Sequence, residues 1–224
     1  MASPILTPIP NDTTYTIAVR GSMNPAIHNL LWYKVIGAID EAEYDASIKF
    51  PFNTTMQLLS QVRLIGPPNL AIQCQPNEWT IQGFGDESWS KMIEITKLVF
   101  ERLNETPVGG YSMVAQKHLD TQVPDVRAVL AERIYRTNLA IPQGSSIASN
   151  IEITVGIENY RVRISTQPSM KGISKLFVFY EHQFDTPRDP GKYFDLGKLI
   201  DERVDGFCKA QMNHCNNVVA AISE

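Results

Sequence analysis

Apolar and polar residues alternate along several short segments of the chain, and this alternation is typical of half-buried β-strands. It predicts single strands over residues 14–22, 44–53, 111–122, 151–157 and 160–166. Residues 70–85 hold two such runs around Pro76 and Asn77, which predicts a hairpin. Residues 175–185 are apolar on both faces up to Glu181 and predict a central strand.

Other segments carry apolar residues at helical spacing. This spacing predicts amphipathic helices over residues 86–107, 123–136 and 195–223, the last about 42 Å long at 1.5 Å per residue. Asp86 is placed to cap the first of these helices. Residues 24–37 also predict a helix, because Asn24 suits its N-cap and Gly37 suits its end.

The predicted C-terminal helix has a heptad-like apolar stripe that extends over about three heptads. Its members are Val204, Cys208, Gln211, Cys215, Val218 and Ile222. Such a stripe can meet the same helix of a second copy, or it can lie across the protein's own sheet. We take Val204, Gln211, Val218 and Ile222 as the predicted interaction residues of this helix.

Strands occur in neighbouring groups rather than in regular alternation with helices. This order predicts an α+β fold: a mostly antiparallel sheet with amphipathic helices packed on one face and a long C-terminal helix. Residues 1–14 predict an extended N-terminal arm, followed by a single domain over 15–224 or by two parts, 15–122 and 123–224. Strands followed by a helix occur in both parts, but without a repeat at the level of residues.

Composition narrows the functional classes. The net charge is −4, from 20 basic and 24 acidic residues, so bulk charge does not attract nucleic acid or anionic lipid. Three cysteines are an odd number, which argues against a disulfide framework. The N-terminus lacks the pattern of a secretory signal, and no apolar run reaches the roughly 18 residues of a membrane helix. These features predict a cytoplasmic protein without contact to a membrane.

Catalytic candidates lie on the strand predicted over residues 111–122. His118 and Asp120 are alternate residues of a strand, about 6.5–7 Å apart, and a carboxylate beside an imidazole makes a general base. No motif supplies a nucleophile, so the other interpretation is the solvent-facing side of a sheet. If the strand of His182 neighbours that of His118, the two imidazoles come together, for a metal or for acid–base chemistry.

Metal, phosphate and nucleic-acid motifs are weak. Cys208 and Cys215 lie two helical turns apart, about 10.5 Å, which is too far for one tetrahedral zinc site. Residues 83–88 hold two glycines before a helix, but lack the third glycine and the lysine of phosphate-binding loops. Arg161 and Arg163 share a strand face that excludes Tyr160, which argues against nucleic-acid binding. We therefore predict neither a metal nor a cofactor.

Three functional hypotheses remain. The one we favour from the sequence is a non-catalytic soluble intracellular interaction or assembly protein, either a homo-oligomer or a subunit of a larger complex. Its partner would be another protein or a second copy. The second is a small-ligand-binding protein with a cavity between the sheet and the long helix. The third is an enzyme with a hydrolase-type acid/base site that uses His118 and Asp120 or His182.

Overall fold

The computed structural model describes residues 8–50, 53–56, 58–121, 123–135, 151–157, 160–186 and 195–223. In these residues the chain forms one antiparallel sheet of nine strands and five α-helices. The predicted α+β class, with helices on one face and a long helix at the C-terminus, is confirmed. None of the described helices is long and apolar enough to cross a membrane.

The order of the elements agrees with the predicted one, apart from α2 and the strands β2 and β3, which the sequence analysis did not predict. The strands are β1 (Pro8–Gly21), β2 (Thr54–Thr55), β3 (Ser60–Leu64), β4 (Leu70–Gln75), β5 (Glu78–Phe84), β6 (Val108–Asp120), β7 (Ile151–Ile157), β8 (Tyr160–Pro168) and β9 (Lys175–Asp185). The helices are α1 (Leu30–Val35), α2 (Glu41–Ile48), α3 (Glu87–Arg102), α4 (Val126–Tyr135) and α5 (Leu196–Ser223).

The strand order is similar on the two sides of the central pair of the sheet. Its strand order is β2-β3-β4-β5-β1-β6-β9-β8-β7, with β1 and β6 paired antiparallel at the centre. From β1 the order continues outward through β5, β4, β3 and the two-residue strand β2, and from β6 through β9, β8 and β7. The second half thus runs strand, helix, three strands in a meander, helix; the first half follows the same plan with two α-helices after β1 and one additional short strand, β2, at the start of its meander. The second half begins at β6, whereas the predicted two-part division falls after residue 122; the division into domains stays a prediction.

One face of the sheet is buried under the helices. Alternate residues of the central strands point to that face, including Ile17 of β1, Met113 of β6 and Ile81 of β5, and all three are fully buried. The apolar side of α3 packs on the same core through Met92 and Ile95. Burial of apolar surface, at about 25 cal/mol per Å², is the main stabilising term of such a core.

The prediction of a strand over residues 44–53 is wrong, because residues 44–48 are helical. The segment belongs mostly to α2, whose N-terminus carries a capping box. Asp40 Oδ1 accepts a hydrogen bond from the Glu43 backbone N–H at 2.8 Å, and Glu43 Oε2 accepts one from the Asp40 N–H at 3.0 Å. Two satisfied backbone donors start the helix there, although the apolar residues alternate.

The helix predicted over residues 24–37 is broken in two. A 3₁₀ turn over Pro25–Ile27 is capped by Asn24, and α1 then starts with Asn29 as its own N-cap. Gly37, with φ of +80°, ends the segment as predicted.

The N-terminal end of the sheet also differs from the prediction. Strand β1 starts at Pro8, six residues before the predicted strand, because Pro8 and Thr13 already pair with β6. The end of the predicted arm is thus part of the sheet. Residues 1–7 of that arm lie outside the described residues.

Candidate functional site

His118 and His182 are not brought together. Their strands, β6 and β9, do pair, but His118 lies opposite Phe177 whereas His182 lies opposite Met113. Met113 and His118 are five positions apart on β6, so the two imidazoles point to opposite faces of the sheet. They are also displaced by about 17 Å along the strand. The hypothesis of a site shared by the two histidines is therefore wrong.

His118 lies on the face of the sheet that faces away from the helices. Its ring is half-buried, with Nδ1 at 2.7 Å from the Ser169 hydroxyl oxygen and the ring centroid 5.0 Å from that of Phe177. Asp120 is exposed at the end of β6. Farther along the same face, Ser112 and Val114 are buried, so this side of the strand is not simply the solvent-facing side that the alternation suggested.

His182 is buried under α5 on the helix-covered face. Its Nε2 shares a hydrogen bond of 2.9 Å with the Tyr180 hydroxyl, and its ring lies 5.6 Å from that of Phe207. Burial, together with the nearby Arg203 guanidinium, lowers the pKa of His182 to about 4. The imidazole is therefore neutral at physiological pH. Among the residues that the structure describes, no group of three His, Cys, Asp or Glu side chains could hold a metal ion.

The stripe of α5 lies across the protein's own sheet. Val204 is half-buried on the main core, and Val218 packs against a second cluster that includes Leu119 and Leu176. Gln211 is only 4 % exposed, and an interface role for it is incompatible with that position. The side chain of Ile222 lies outside the described residues. Of the two interpretations of the stripe, the structure favours the intramolecular one.

A polar cluster, which the sequence interpretation missed, lies between α5 and the centre of the sheet. It consists of Lys117, Tyr15, Asp86 and Gln211. Lys117 is 6 % exposed, and its Nζ lies 5.6 Å from the centroid of the Tyr15 ring. No carboxylate of the described residues lies within 4 Å of this ammonium group. The signal was present in the strand pattern, since Lys117 occupies the same face as Met113 and Leu119.

Asp86 belongs to this cluster instead of capping α3. Its side chain makes no capping bond; Oδ1 accepts a hydrogen bond of 2.6 Å from the Tyr15 hydroxyl. Burial, then the hydrogen bond to Asp86 and its charge, raises the pKa of Tyr15 well above its usual value. Gln211 lies beside the same Tyr15 hydroxyl, and its buried Oε1 has no hydrogen-bond partner among the described residues. Such an unpaired buried acceptor is uncommon.

Edge strand β7 carries an exposed apolar surface. Ile153 and Val155, on the side of the sheet that the helices cover elsewhere, are 50 % and 43 % exposed. β7 is the last strand of the sheet, so one of its edges has no neighbouring strand among the described residues. Residues 152–156 are all exposed.

The open face of the sheet near this edge combines cations, carboxylates and aromatic rings. Arg163 makes a bidentate ion pair with Glu152, at 2.9 and 3.0 Å, and its guanidinium lies 5.3 Å from the centroid of Phe179. Tyr160 faces the helix-covered side, opposite Phe184, as expected. Arg163 is thus engaged by a carboxylate of its own chain, whereas Arg161 on the same face is exposed.

Comparisons with known proteins give no family for this chain. No protein-family model matches it, and neither a curated protein nor a solved structure does so. The functional argument therefore depends on the geometry alone.

Proposed function

We propose that this protein is a non-catalytic assembly protein that associates with further copies of itself. The observation that carries the proposal is the exposed apolar side of β7. Natural sheets usually protect their edges with lysine, proline, very short strands or a covering element. β7 has seven residues, contains neither lysine nor proline, and exposes Ile153 and Val155. An edge with these properties is suited to pair with another strand.

The energetics support the same conclusion. Burial of the exposed halves of Ile153 and Val155 would contribute roughly 1 kcal/mol each per copy. Backbone hydrogen bonds along the edge would add to this, at about 0.5–1.5 kcal/mol each. The burial term applies to each copy, whereas each hydrogen bond is shared by the two, and together they offset part of the entropy lost on association.

Size-exclusion chromatography with light scattering, at two protein concentrations, tests the proposal. We expect a mass above the chain mass of 25.1 kDa, with the larger species favoured at the higher concentration. The double variant Ile153→Thr, Val155→Thr keeps β-forming residues and should weaken association. The control variant Val35→Gln changes another exposed apolar residue, on α1, and should leave the mass unchanged. A mass of 25.1 kDa at both concentrations would refute self-association.

A second candidate function is the binding of a small anionic ligand between α5 and the sheet. The observation that favours it is the polar cluster, where the buried Lys117 ammonium lacks a carboxylate partner and the buried Gln211 Oε1 lacks a donor among the described residues. A ligand with an anionic group and a hydrogen-bond donor would satisfy both.

Native mass spectrometry of the gently purified protein tests this second candidate. We expect a small adduct on the wild-type chain, lost in Lys117→Met and kept in Lys209→Met, whose lysine is exposed on α5. A wild-type protein that carries no adduct, and that takes up none from a mixture of small carboxylates and phosphates, would remove this candidate.

A further inference from the structure

The pattern of β7 specifies how two copies would meet. We infer that β7 of one copy pairs antiparallel with β7 of a second copy, about a two-fold axis at Thr154, so that the two nine-stranded sheets become one. The inference rests on the proposed self-association and names its surface and register. In an antiparallel pair, directly opposed residues share a face. A two-fold axis at Thr154 therefore places Thr154 opposite itself.

The apolar residues of the strand match in this register. Ile153 of one copy lies opposite Val155 of the other, and the reverse pair forms across the axis. Both residues are exposed on the same face in a single copy, so the pairing joins two half-exposed apolar patches into one. Cross-strand pairs of β-branched residues stabilise a sheet by about 0.2–1 kcal/mol each.

The charged residues match as well. Glu152 comes to lie opposite Gly156 of the second copy, where no side chain competes with it: a Cβ added to Gly156 would have no atom within 4 Å. Gly156 is itself in register with Arg161, whose side chain is exposed. Glu152, which pairs with Arg163 of its own chain, would thus lie two strand spacings, roughly 9.6 Å, from the second copy's Arg161, within reach of the two side chains. Like charges do not face each other at any position of this register.

Other ways of pairing this edge place fewer residues opposite one another. A two-fold axis at Ile153 or at Val155 leaves only five of the seven residues of β7 opposite one another. Head-to-tail pairing with the opposite edge of the sheet would use β2, which has only two residues. The long edge therefore fits a second copy of itself, which gives a closed two-fold dimer and not an open filament.

A cysteine scan of the exposed positions tests the register. In the Thr154→Cys variant the introduced thiols face each other across the axis, with a spacing of about 5 Å that suits a disulfide. In the Glu152→Cys variant they are four residues apart along the strands, about 13 Å, which is too far. We expect oxidised glutathione to convert most of the Thr154→Cys protein to a covalent dimer, at least about tenfold faster than Glu152→Cys. Cys74 and Cys215 are buried, and the wild-type chain controls for all three natural thiols.

A charge at Gly156 provides an independent readout. Gly156→Glu would place a carboxylate opposite Glu152 of the second copy, whereas Gly156→Gln has the same size without the charge. At low salt we expect the dimer of Gly156→Glu to have a dissociation constant about tenfold higher than that of Gly156→Gln. The difference should be smaller at high salt. Circular dichroism of both variants checks that the fold is retained.

The outcomes separate the two proposals. A non-covalent dimer in which Thr154→Cys does not cross-link, or in which Glu152→Cys cross-links equally fast, would overturn the β7 register and leave self-association standing. A wild-type chain of 25.1 kDa at every concentration, without cross-linking of Thr154→Cys, would overturn both. Rapid and selective cross-linking of Thr154→Cys, together with the charge effect at Gly156, would support both.

Discussion

The two halves of the sheet have similar topologies but end differently. β3 in the first half occupies the place that β7 has in the second, but β3 carries the additional two-residue strand β2 on its outer edge. On β3, Val62 and Leu64 are 2 % and 3 % exposed, whereas the corresponding residues of β7, Ile153 and Val155, are about half exposed. An apolar residue at the same place in a repeated topology is core in one half and surface in the other.

The position of the helices that follow the first strand of each half accounts for this difference in burial. In the first half, α2 and the turn before α1 reach β3: the Ser60 hydroxyl on β3 donates to the His28 carbonyl, and the Ser47 hydroxyl on α2 accepts from the Ile65 N–H, just after β3, at 2.7 Å. In the second half, α4 packs through Val126 and Leu130 on a cluster with Leu119, near the centre of the sheet. Strand pairing sets the topology, and helix placement sets which apolar residues stay available to a partner.

The halves agree in another respect: each buries a histidine that is hydrogen-bonded to a tyrosine. His28 Nδ1 lies 2.9 Å from the Tyr33 hydroxyl, and His182 Nε2 lies 2.9 Å from that of Tyr180. Burial lowers the pKa of both imidazoles to about 4. Both histidines thus belong to a neutral, packed interior.

The largest expected difference is in the free energy of unfolding, when a valine is replaced by aspartate in β3 and in β7. Val62→Asp puts an unpaired carboxylate into the core and should lower the free energy of unfolding by about 3–5 kcal/mol. Val155→Asp places the carboxylate on a half-exposed edge. The free energy of unfolding of the monomer should therefore change by less than about 1 kcal/mol, while association weakens. Urea unfolding and light scattering of both variants measure the two quantities. Equal destabilisation by the two substitutions would contradict the contrast between the halves.

Acid should destabilise both halves through their histidines. Each folded pKa of about 4 lies below the unfolded value of about 6.5, so the unfolded chain binds more protons between these pH values. The contribution of each neutral histidine is therefore fully present above pH 6.5. It falls by about 1.4 kcal/mol per pH unit as the pH drops toward 4, roughly 3 kcal/mol per histidine in all.

Single substitutions locate this pH dependence. His28→Gln and His182→Gln each remove one titrating ring, and each should reduce the slope of unfolding free energy against pH, between pH 6 and 4.5, by about one proton. Urea unfolding at several pH values measures the slope. A slope that neither substitution changes would mean that neither imidazole is held neutral by the fold.

The smallest expected effect is a difference in reactivity between the buried and the partly exposed cysteine thiols. Cys74 in the first half and Cys215 in the second are buried, and burial raises the pKa of Cys74 to about 12 and that of Cys215 above its usual value. Cys208 is less buried. In the folded protein at pH 8 we expect a disulfide reagent to modify Cys208 first, with the other two following only on unfolding. Peptide mapping after a short reaction identifies the residue; early modification of Cys74 would contradict the packing of the first half.

Much of the secondary structure was readable from the sequence, because it follows from local periodicity. The hairpin of β4 and β5 and the helices α3 and α5 lie where the spacing of apolar residues puts them. The wrong prediction, a strand over residues 44–53, gave weight to alternation and overlooked the Asp40–Glu43 capping box, which is also a local signal. Better use of the same sequence would have corrected it.

The candidate site was less predictable, because it depends on the pairing of distant strands. Whether His118 meets His182 is fixed by the register between β6 and β9, and a shift of one residue would change the face of every side chain. The strand pattern places Lys117 on the same face as Met113 and Leu119, but its burial comes from α5, nearly a hundred residues later.

By itself the sequence determined which segments are strands and helices, which of their faces are apolar, and hence an α+β class with a long last helix. Only the tertiary structure decided that α5 covers its own sheet, that the two halves have similar topologies, and that β7 keeps its apolar side exposed. The physical reason is the range of the interactions. Backbone preference and amphipathic periodicity act over a few residues, whereas burial depends on which distant elements pack together.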